Sequence, residues 1–529
     1  MNFLKLLPIV AGLGLYVLAA LNPIYTDEVS YAMMLGRYNL EESKLLFLFP
    51  ECLATFTRSL HFIFQPAAMF LGQIYQFIDT PIRLRQFGVW VATLNILCLL
   101  VILFRCAGNN FRTSASILLL ASCLGTFPFL FLIARPEGIL FASASFLVLL
   151  AVSRTQDFSR SLYRELYHIA AVLWLASLLM FTHPLAFGLL PLVITASWFA
   201  LQRYWTRAVT LIALGYGYLE AWRFHSASYR CPDQPMIEQF FKGYSGNTLL
   251  PTDSSFVPLF LEKFSNMVNV FPYWASLMPL QEYPLGLVPG LSGVSILELR
   301  ASMFLVALSC LMALLFLSFF TFQAIRKLPT RRTPETVLGI VTLSSLLICS
   351  AIQPGKYPYR TSLMVLLLLL AFCLFSADIG ESWSDAWKRL SRWFAIVIVA
   401  QLSLLIWLYA PNFLERRAPL RIPDQPLSYG LALHSTLSKN ISEALKRCQL
   451  DPSHASRVVV DEMTYFTFQR SKQPILAFYL YSFFWGSSVE RDQKLENWRV
   501  SAIFALCENL PEKLSRRTER VGKICCAKM

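Results

Sequence analysis

The chain alternates between long apolar runs and short polar segments, and the length of those runs decides its class. Apolar runs fall at 3–21, 86–105, 113–134, 137–153, 166–182, 185–202, 207–222, 301–325, 336–352, 361–377 and 393–410. A helix of about 20 residues crosses the roughly 30 Å of bilayer hydrocarbon, so the pattern predicts 11 transmembrane helices. The weakest is 207–222, which carries Glu220 and two glycines. The 45–81 stretch is apolar in places but interrupted by Pro50, Arg58, His61 and Pro66, which predicts amphipathic helices lying in the interface. The first run has Lys5 ahead of an apolar core, as a signal peptide does. Further spans follow, however, and cleavage near Ala20 would leave the acidic residues behind it on a free end, so it is expected to stay as the first span.

Lysine and arginine collect in alternate connections: Arg105 and Arg112; Arg154, Arg160 and Arg164; Arg203 and Arg207; Arg326, Lys327, Arg331 and Arg332; Lys388, Arg389 and Arg392. Positive residues mark the cytoplasmic side, so the N-terminus is expected inside and the C-terminus outside. The outer side then receives 22–85, 223–300 and the tail. The division expected is a transmembrane catalytic domain over 1–410 and a soluble extracytoplasmic domain over 411–529. In the tail, HSTLSKNISEALKRC (434–448) has helical spacing, ASRVVVDEM (455–463) predicts a strand and turn, and WRVSAIFAL (498–506) and RVGKICC (520–526) predict further strands. The fold class expected is an all-α polytopic membrane protein with a small C-terminal α/β domain.

Composition agrees: 56% of residues are apolar and 15% charged, against about 25% charged in soluble proteins. The net charge of +14 is in large part the inside-loop signal, and no nucleic-acid partner is predicted from it. The tail is basic too, with Arg416, Arg417, Lys446, Arg447, Arg516, Arg517 and Lys523, which suits anionic headgroups or phosphorylated glycolipids as readily as plain solvation. The 12 cysteines show no zinc spacing. Cys98, Cys123, Cys310, Cys349 and Cys373 lie in spans as small apolar groups. Cys448, Cys507, Cys525 and Cys526 share the tail, where an oxidising compartment would let them pair in a connectivity the sequence leaves open. Neither a solenoid repeat nor an inverted repeat of broken helices is visible.

The candidate chemistry lies at the outer ends of the spans. Asp27 and Glu28 stand side by side in NPIYTDEVSYA, just past the first span, where acidic groups are costly to bury. The topology directs Arg135 and Glu137 of ARPEG, His183 of THPLA, and Lys356, Tyr357, Tyr359 and Arg360 of GKYPYR to the same rim. Transfer from a lipid phosphate needs a base for the attacking group and cations for the leaving phosphate. It also needs a site at the interface, because the lipid tail stays in the bilayer. Each residue has a plainer reading. Asp27 and Glu28 could cap the helix that VSYAMMLGRY suggests, and Arg135 and Glu137 could form an ion pair. His183 could bond at a helix end, while Lys356 and Arg360 could snorkel beside an aromatic belt of Tyr357 and Tyr359. FPYW (271–274) could gate an acceptor or pack in the interface, and His61 and His225 show no metal pattern.

TDEVSYA after the first span resembles the first outer loop of integral-membrane glycosyltransferases of the GT-C fold, such as protein O-mannosyltransferases and the bacterial lipid A aminoarabinose transferase. The resemblance implies that Asp27 is the catalytic base, or positions the acceptor, with Glu28 in support. It also implies that Glu137, in the next short outer loop, is the second acidic residue. The implied activity is inverting transfer of a sugar from a polyprenyl-phosphate donor to an envelope glycolipid, glycan or protein, at the periplasmic face of a bacterial inner membrane. Arg135, His183, Lys356, Tyr357, Tyr359 and Arg360 would bind substrate and its phosphate. No cofactor is required; Asp27, Glu28 and Glu137 could hold a divalent metal, though nothing in the sequence demands one. The rival readings are a flippase or transporter for a lipid-linked sugar, an O-antigen ligase or polymerase using the 223–300 segment with Arg223, Arg230, Lys242 and Lys263, and a non-catalytic subunit whose tail binds. The apolar spans are nearly free of charge, which favours surface chemistry over a transport path.

Overall fold

The computed structural model describes residues 3–20, 26–35, 44–46, 53–55, 65–125, 127–154, 162–228, 308, 333–352, 362–376, 384–414, 434–452, 457–461, 463–469, 473–476, 499–507, 510 and 512–529, with some of their side chains left out, that of Asp27 among them. The membrane part is helical: α1 Phe3–Ala20, α2 Thr26–Leu35, α3 Gln65–Gln76, α4 Pro81–Ala107, α5 Phe111–Ala121, α6 Phe127–Phe131, α7 Pro136–Arg154, α8 Leu162–Thr182, α9 Leu190–Ala200 and α10 Tyr204–Ser228. After the 229–332 segment come α11 Pro334–Ile352, α12 Ser362–Phe375 and α13 Ser384–Leu414. Among the described residues, four helical stretches are long and apolar enough to cross a membrane: Pro81–Ala121, Pro136–Ser153, Leu162–Thr182 and Pro334–Ala351. The chain is an integral membrane protein by that measure. α7 sits among α4, α8, α9 and α12, and α1 lies along α13. Every residue of α12 is buried, as expected of a helix that is apolar all round and therefore central.

Two expectations are corrected. The predicted span 113–134 is not one helix: α5 stops at Ala121 and α6 resumes at Phe127. Gly125 between them has φ +60°, a left-handed conformation that glycine adopts without a Cβ clash. Gln401 of α13 satisfies the broken backbone, accepting from Gly125 N–H (2.9 Å) and donating to Gly125 C=O (2.6 Å). Irregular backbone survives in a bundle when protein groups replace its lost partners. Apolarity alone could not reveal the break, because it leaves the hydrophobic run intact. The second correction falls in 45–81. It holds a two-stranded antiparallel sheet, β1 Lys44–Leu46 with β2 Leu53–Thr55, followed by α3 as the one described helix. Glu220, the blemish in the weakest predicted span, is buried near the end of α10 and paired with Arg223 one turn on (2.8 Å). The 301–325 span and the FPYW segment lie outside the described residues.

The tail carries α14 His434–Arg447, then β3 Arg457–Val460, β4 Gln473–Leu476, β5 Ala502–Leu506, α15 Glu512–Ser515, β6 Glu519–Val521 and β7 Ile524–Lys528. The five strands form one mixed sheet in the order β4-β3-β5-β7-β6, with β3 parallel to β4 and β5, and β7 antiparallel to β5 and β6. The three strands expected from RVVV, AIFAL and KICC are all present. β3 buries three of its four residues and β5 all five, the continuous apolar run of a parallel strand covered on both faces. Asp461, buried at the end of β3, locks the sheet: its carboxylate accepts from the N–H groups of Met463 (3.1 Å), Thr464 (2.9 Å) and Leu506 (2.7 Å). Cys448 pairs with Cys526, and Cys507 with Cys525. The first bond ties α14 to the sheet across 78 residues and the second closes an 18-residue loop; each is worth about 2–4 kcal/mol by the usual constraint on the unfolded chain.

The two regions share one core. Val29, Ala32, Met33, Ala67, Leu71, Tyr75, Leu84 and Ala134 of the membrane part belong to the same buried cluster as Val458, Tyr465, Phe468 and Phe504 of the tail. Gln469 donates from Nε2 to the Tyr75 carbonyl (3.1 Å). The sheet is thus packed onto the α2–α3 end of the helices.

Candidate active site

The acidic segment at 26–28 forms the first turn of α2, where carboxylates face the positive end of the helix. Asp27 lies in that turn. Glu28 is fully buried. One of its oxygens, Oε1, accepts from Arg85 Nη2 (3.0 Å) and the other, Oε2, from the backbone N–H of Ala134 (2.9 Å). Arg85 also donates through Nη1 to the Leu132 carbonyl (3.1 Å). Glu28 and Arg85 together therefore seize the backbone just ahead of α7, where the ARPEG segment lies.

Two residues further on, Arg135 meets Glu137 side-on, with Nε to Oε2 and Nη2 to Oε1 both at 3.2 Å. Both are buried, at 7% and 1% side-chain exposure. Glu137 sits in the first turn of α7, again at the favourable end of a helix. The Arg135 guanidinium lies 5.2 Å from the centre of the Tyr31 ring, a cation–π distance. Tyr31 in turn contacts His183, its hydroxyl 3.2 Å from Nε2. Leu185 N–H donates to His183 Nδ1 (3.1 Å), so that nitrogen carries no proton, and the imidazole offers Nε2–H to the Tyr31 oxygen. His183 also caps the 3₁₀ turn Pro184–Leu189.

Close packing fixes this register. Gly88 of α4 lies against the 132–134 backbone, where an added Cβ would run into the Leu132 carbonyl oxygen. That oxygen is the one Arg85 holds one turn earlier on α4. Neither backbone can yield as a flexible side chain would, so Gly88→Ala is expected to destabilise the protein by about 1–3 kcal/mol. Thermal unfolding of the purified protein in detergent checks this; a midpoint equal to wild type would mean that the 132–134 segment is free to shift.

Glu28, Arg135, Glu137 and His183 thus come together from three distant parts of the sequence. Asp27 is adjacent in α2, and its side chain lies outside the described atoms. Lys356, Tyr357, Tyr359 and Arg360 lie outside the described residues. The sequence reading missed two members. Arg85 with Arg83 stands at the start of α4, the end that the sequence reading expects outside, against the positive-inside trend, and that exception was its signal. Tyr31 lies three residues after Glu28 in one helix, a spacing that shares a face. Among the described residues, no three His, Cys, Asp or Glu side chains gather as metal ligands. Glu28 and Glu137 are each paired with a guanidinium.

No family model matches the sequence, and no curated relative does. Two solved structures are similar in chain path. One is the archaeal oligosaccharyltransferase AglB from Archaeoglobus fulgidus in complex with an inhibitory peptide and a dolichol-phosphate (TM-score 0.39, 11% identity, covering 96% of this chain and 70% of that one). The other is the apo form of the Archaeoglobus fulgidus oligosaccharyltransferase (TM-score 0.41, 10% identity, 96% and 70% covered). At these scores the likeness lends no activity to this chain.

Proposed function

We propose that the protein is a membrane glycosyltransferase of the GT-C type, moving a sugar from a polyprenyl-phosphate donor to a glycolipid, glycan or protein of the cell envelope. The observation that carries this is the direct bond between the two acidic segments, Glu28 accepting from Ala134 N–H. The segment resembling the family's first outer loop and the one resembling its second are thereby in direct contact, which supports reading them as one site. Its four described charges cancel in pairs, Glu28 with Arg85 and Glu137 with Arg135. Each carboxylate is engaged by a guanidinium, which suits positioning better than proton abstraction. The base then falls to Asp27, the acidic residue beside them at the mouth of α2. The leaving phosphate falls to Lys356 and Arg360, with Tyr357 and Tyr359 beside them, joined by Arg135 if it exchanges Glu137 for phosphate.

In this reading eleven apolar segments cross the bilayer, the 113–134 segment as a broken helix, with the N-terminus inside, and the active site and tail face the periplasm of a bacterial inner membrane. The paired cysteines of the tail support an outer location, since disulfides persist in oxidising compartments. The test is reconstitution. The purified protein in vesicles, given polyprenyl-phosphate sugars and extracted envelope glycolipids or proteins, should produce acceptors heavier by one sugar residue, read by mass spectrometry. Movement of the intact donor between leaflets with no new glycosidic bond would instead establish a flippase and end this assignment.

A further inference from the structure

Resting on that reading, we propose that Tyr75 is a substrate-binding residue of the same site, donating a hydrogen bond from its hydroxyl to a neutral oxygen of the transferred sugar. Tyr75 lies near the end of α3, is fully buried, and has no hydrogen-bond partner for its hydroxyl among the described residues. Buried hydroxyls are normally paired, because an unpaired one loses its water without recompense. Its position is over-determined. The ring meets Phe87 edge-on (centroids 5.4 Å apart), and its own carbonyl is held by Gln469 of the tail. It shares one buried cluster with Val29, between Glu28 and Tyr31, with Ala32, next after Tyr31, and with Ala134, which Glu28 holds. A phenol pinned this firmly yet left without a partner is matched to a ligand rather than to the fold.

The surrounding charge selects the ligand's chemistry. Burial raises the phenol pKa, and the fields of Glu137 and Glu28 raise it further, so the hydroxyl stays protonated and acts as a donor. The described charges around it cancel in pairs, Glu28 with Arg85 and Glu137 with Arg135, so they offer no surplus positive charge to a phosphate, and a sugar hydroxyl or ring oxygen is the better partner.

The experiment compares wild type and Tyr75→Phe in nanodiscs. Two quantities are measured: the unfolding midpoint, and the affinities for undecaprenyl phosphate alone and for its mannosyl, glucosyl and arabinosyl phosphodiesters. The variant is expected to unfold no earlier than wild type and to bind bare undecaprenyl phosphate equally well. It should bind the preferred sugar ester about tenfold more weakly, the loss of one well-placed hydrogen bond. Equal affinity for every ester, an equal loss for bare and sugar-bearing lipid, or earlier unfolding would each overturn the assignment of Tyr75. Wild type that binds none of these lipids would overturn the proposed function and this inference with it. Wild type that binds an ester unaffected by the substitution overturns the inference alone.

Discussion

Arg85→Ala is expected to destabilise the protein by about 3–5 kcal/mol, the usual consequence of stranding one member of a buried ion pair. Arg85 is 3% exposed and Glu28 0%. Removing the guanidinium leaves the Glu28 carboxylate with its Ala134 N–H bond (2.9 Å) but without its countercharge, and frees the Leu132 carbonyl. Arg85→Lys should recover only part of this. An ammonium is a point charge and cannot reproduce a planar fork that reaches a carboxylate and a carbonyl together. The pair itself need not add net stability, so Arg85→Met combined with Glu28→Gln should be milder than Arg85→Ala alone. A double-mutant cycle on unfolding free energy in a defined detergent gives the coupling. A single-mutant loss below about 1 kcal/mol, typical of a solvated pair, would mean that the rim is open to water and that Glu28 is not held.

Elements with a one-dimensional signature were legible from sequence. α12 and α7 show as apolar runs, β3 and β5 as RVVV and AIFAL, and α14 as helical spacing. Features defined by a tertiary partner were not. The break at Gly125 stands because Gln401, 276 residues away, takes both its backbone groups, and no local pattern encodes such a debt. The disulfide pairing is likewise fixed by the β5–β7 register, which sets Ala505 opposite Cys525 and Phe504 opposite Cys526. In the site, acidic residues announced themselves because carboxylates at a bilayer face are expensive. Arg85 and Tyr31 did not, since an arginine or tyrosine near a span end is also ordinary interfacial anchoring. The resemblance already gives Asp27 as the base with Glu28 in support; the fold adds that Glu28 is bound to α4 and to the turn before α7.

That asymmetry leads to the largest kinetic effect expected. Asp27→Asn should lower the rate of sugar transfer by about 10²–10⁴-fold, the contribution of a positioned general base, with unfolding and membrane insertion unchanged. Asparagine keeps the size and the capping ability of aspartate at a helix start, so a structural role for Asp27 would survive the substitution. Glu28→Gln should behave in the opposite sense. It weakens the hold on Arg85 and Ala134 and lowers the unfolding midpoint, while the transfer rate of the folded fraction falls far less. The two variants, assayed side by side for transfer rate and unfolding midpoint, therefore separate the chemical carboxylate from the positioning one. Full transfer by Asp27→Asn would remove the base from this mechanism. Loss of transfer by Glu28→Gln at an unchanged midpoint would move the base one residue along α2 and require Glu28 to leave Arg85 during turnover.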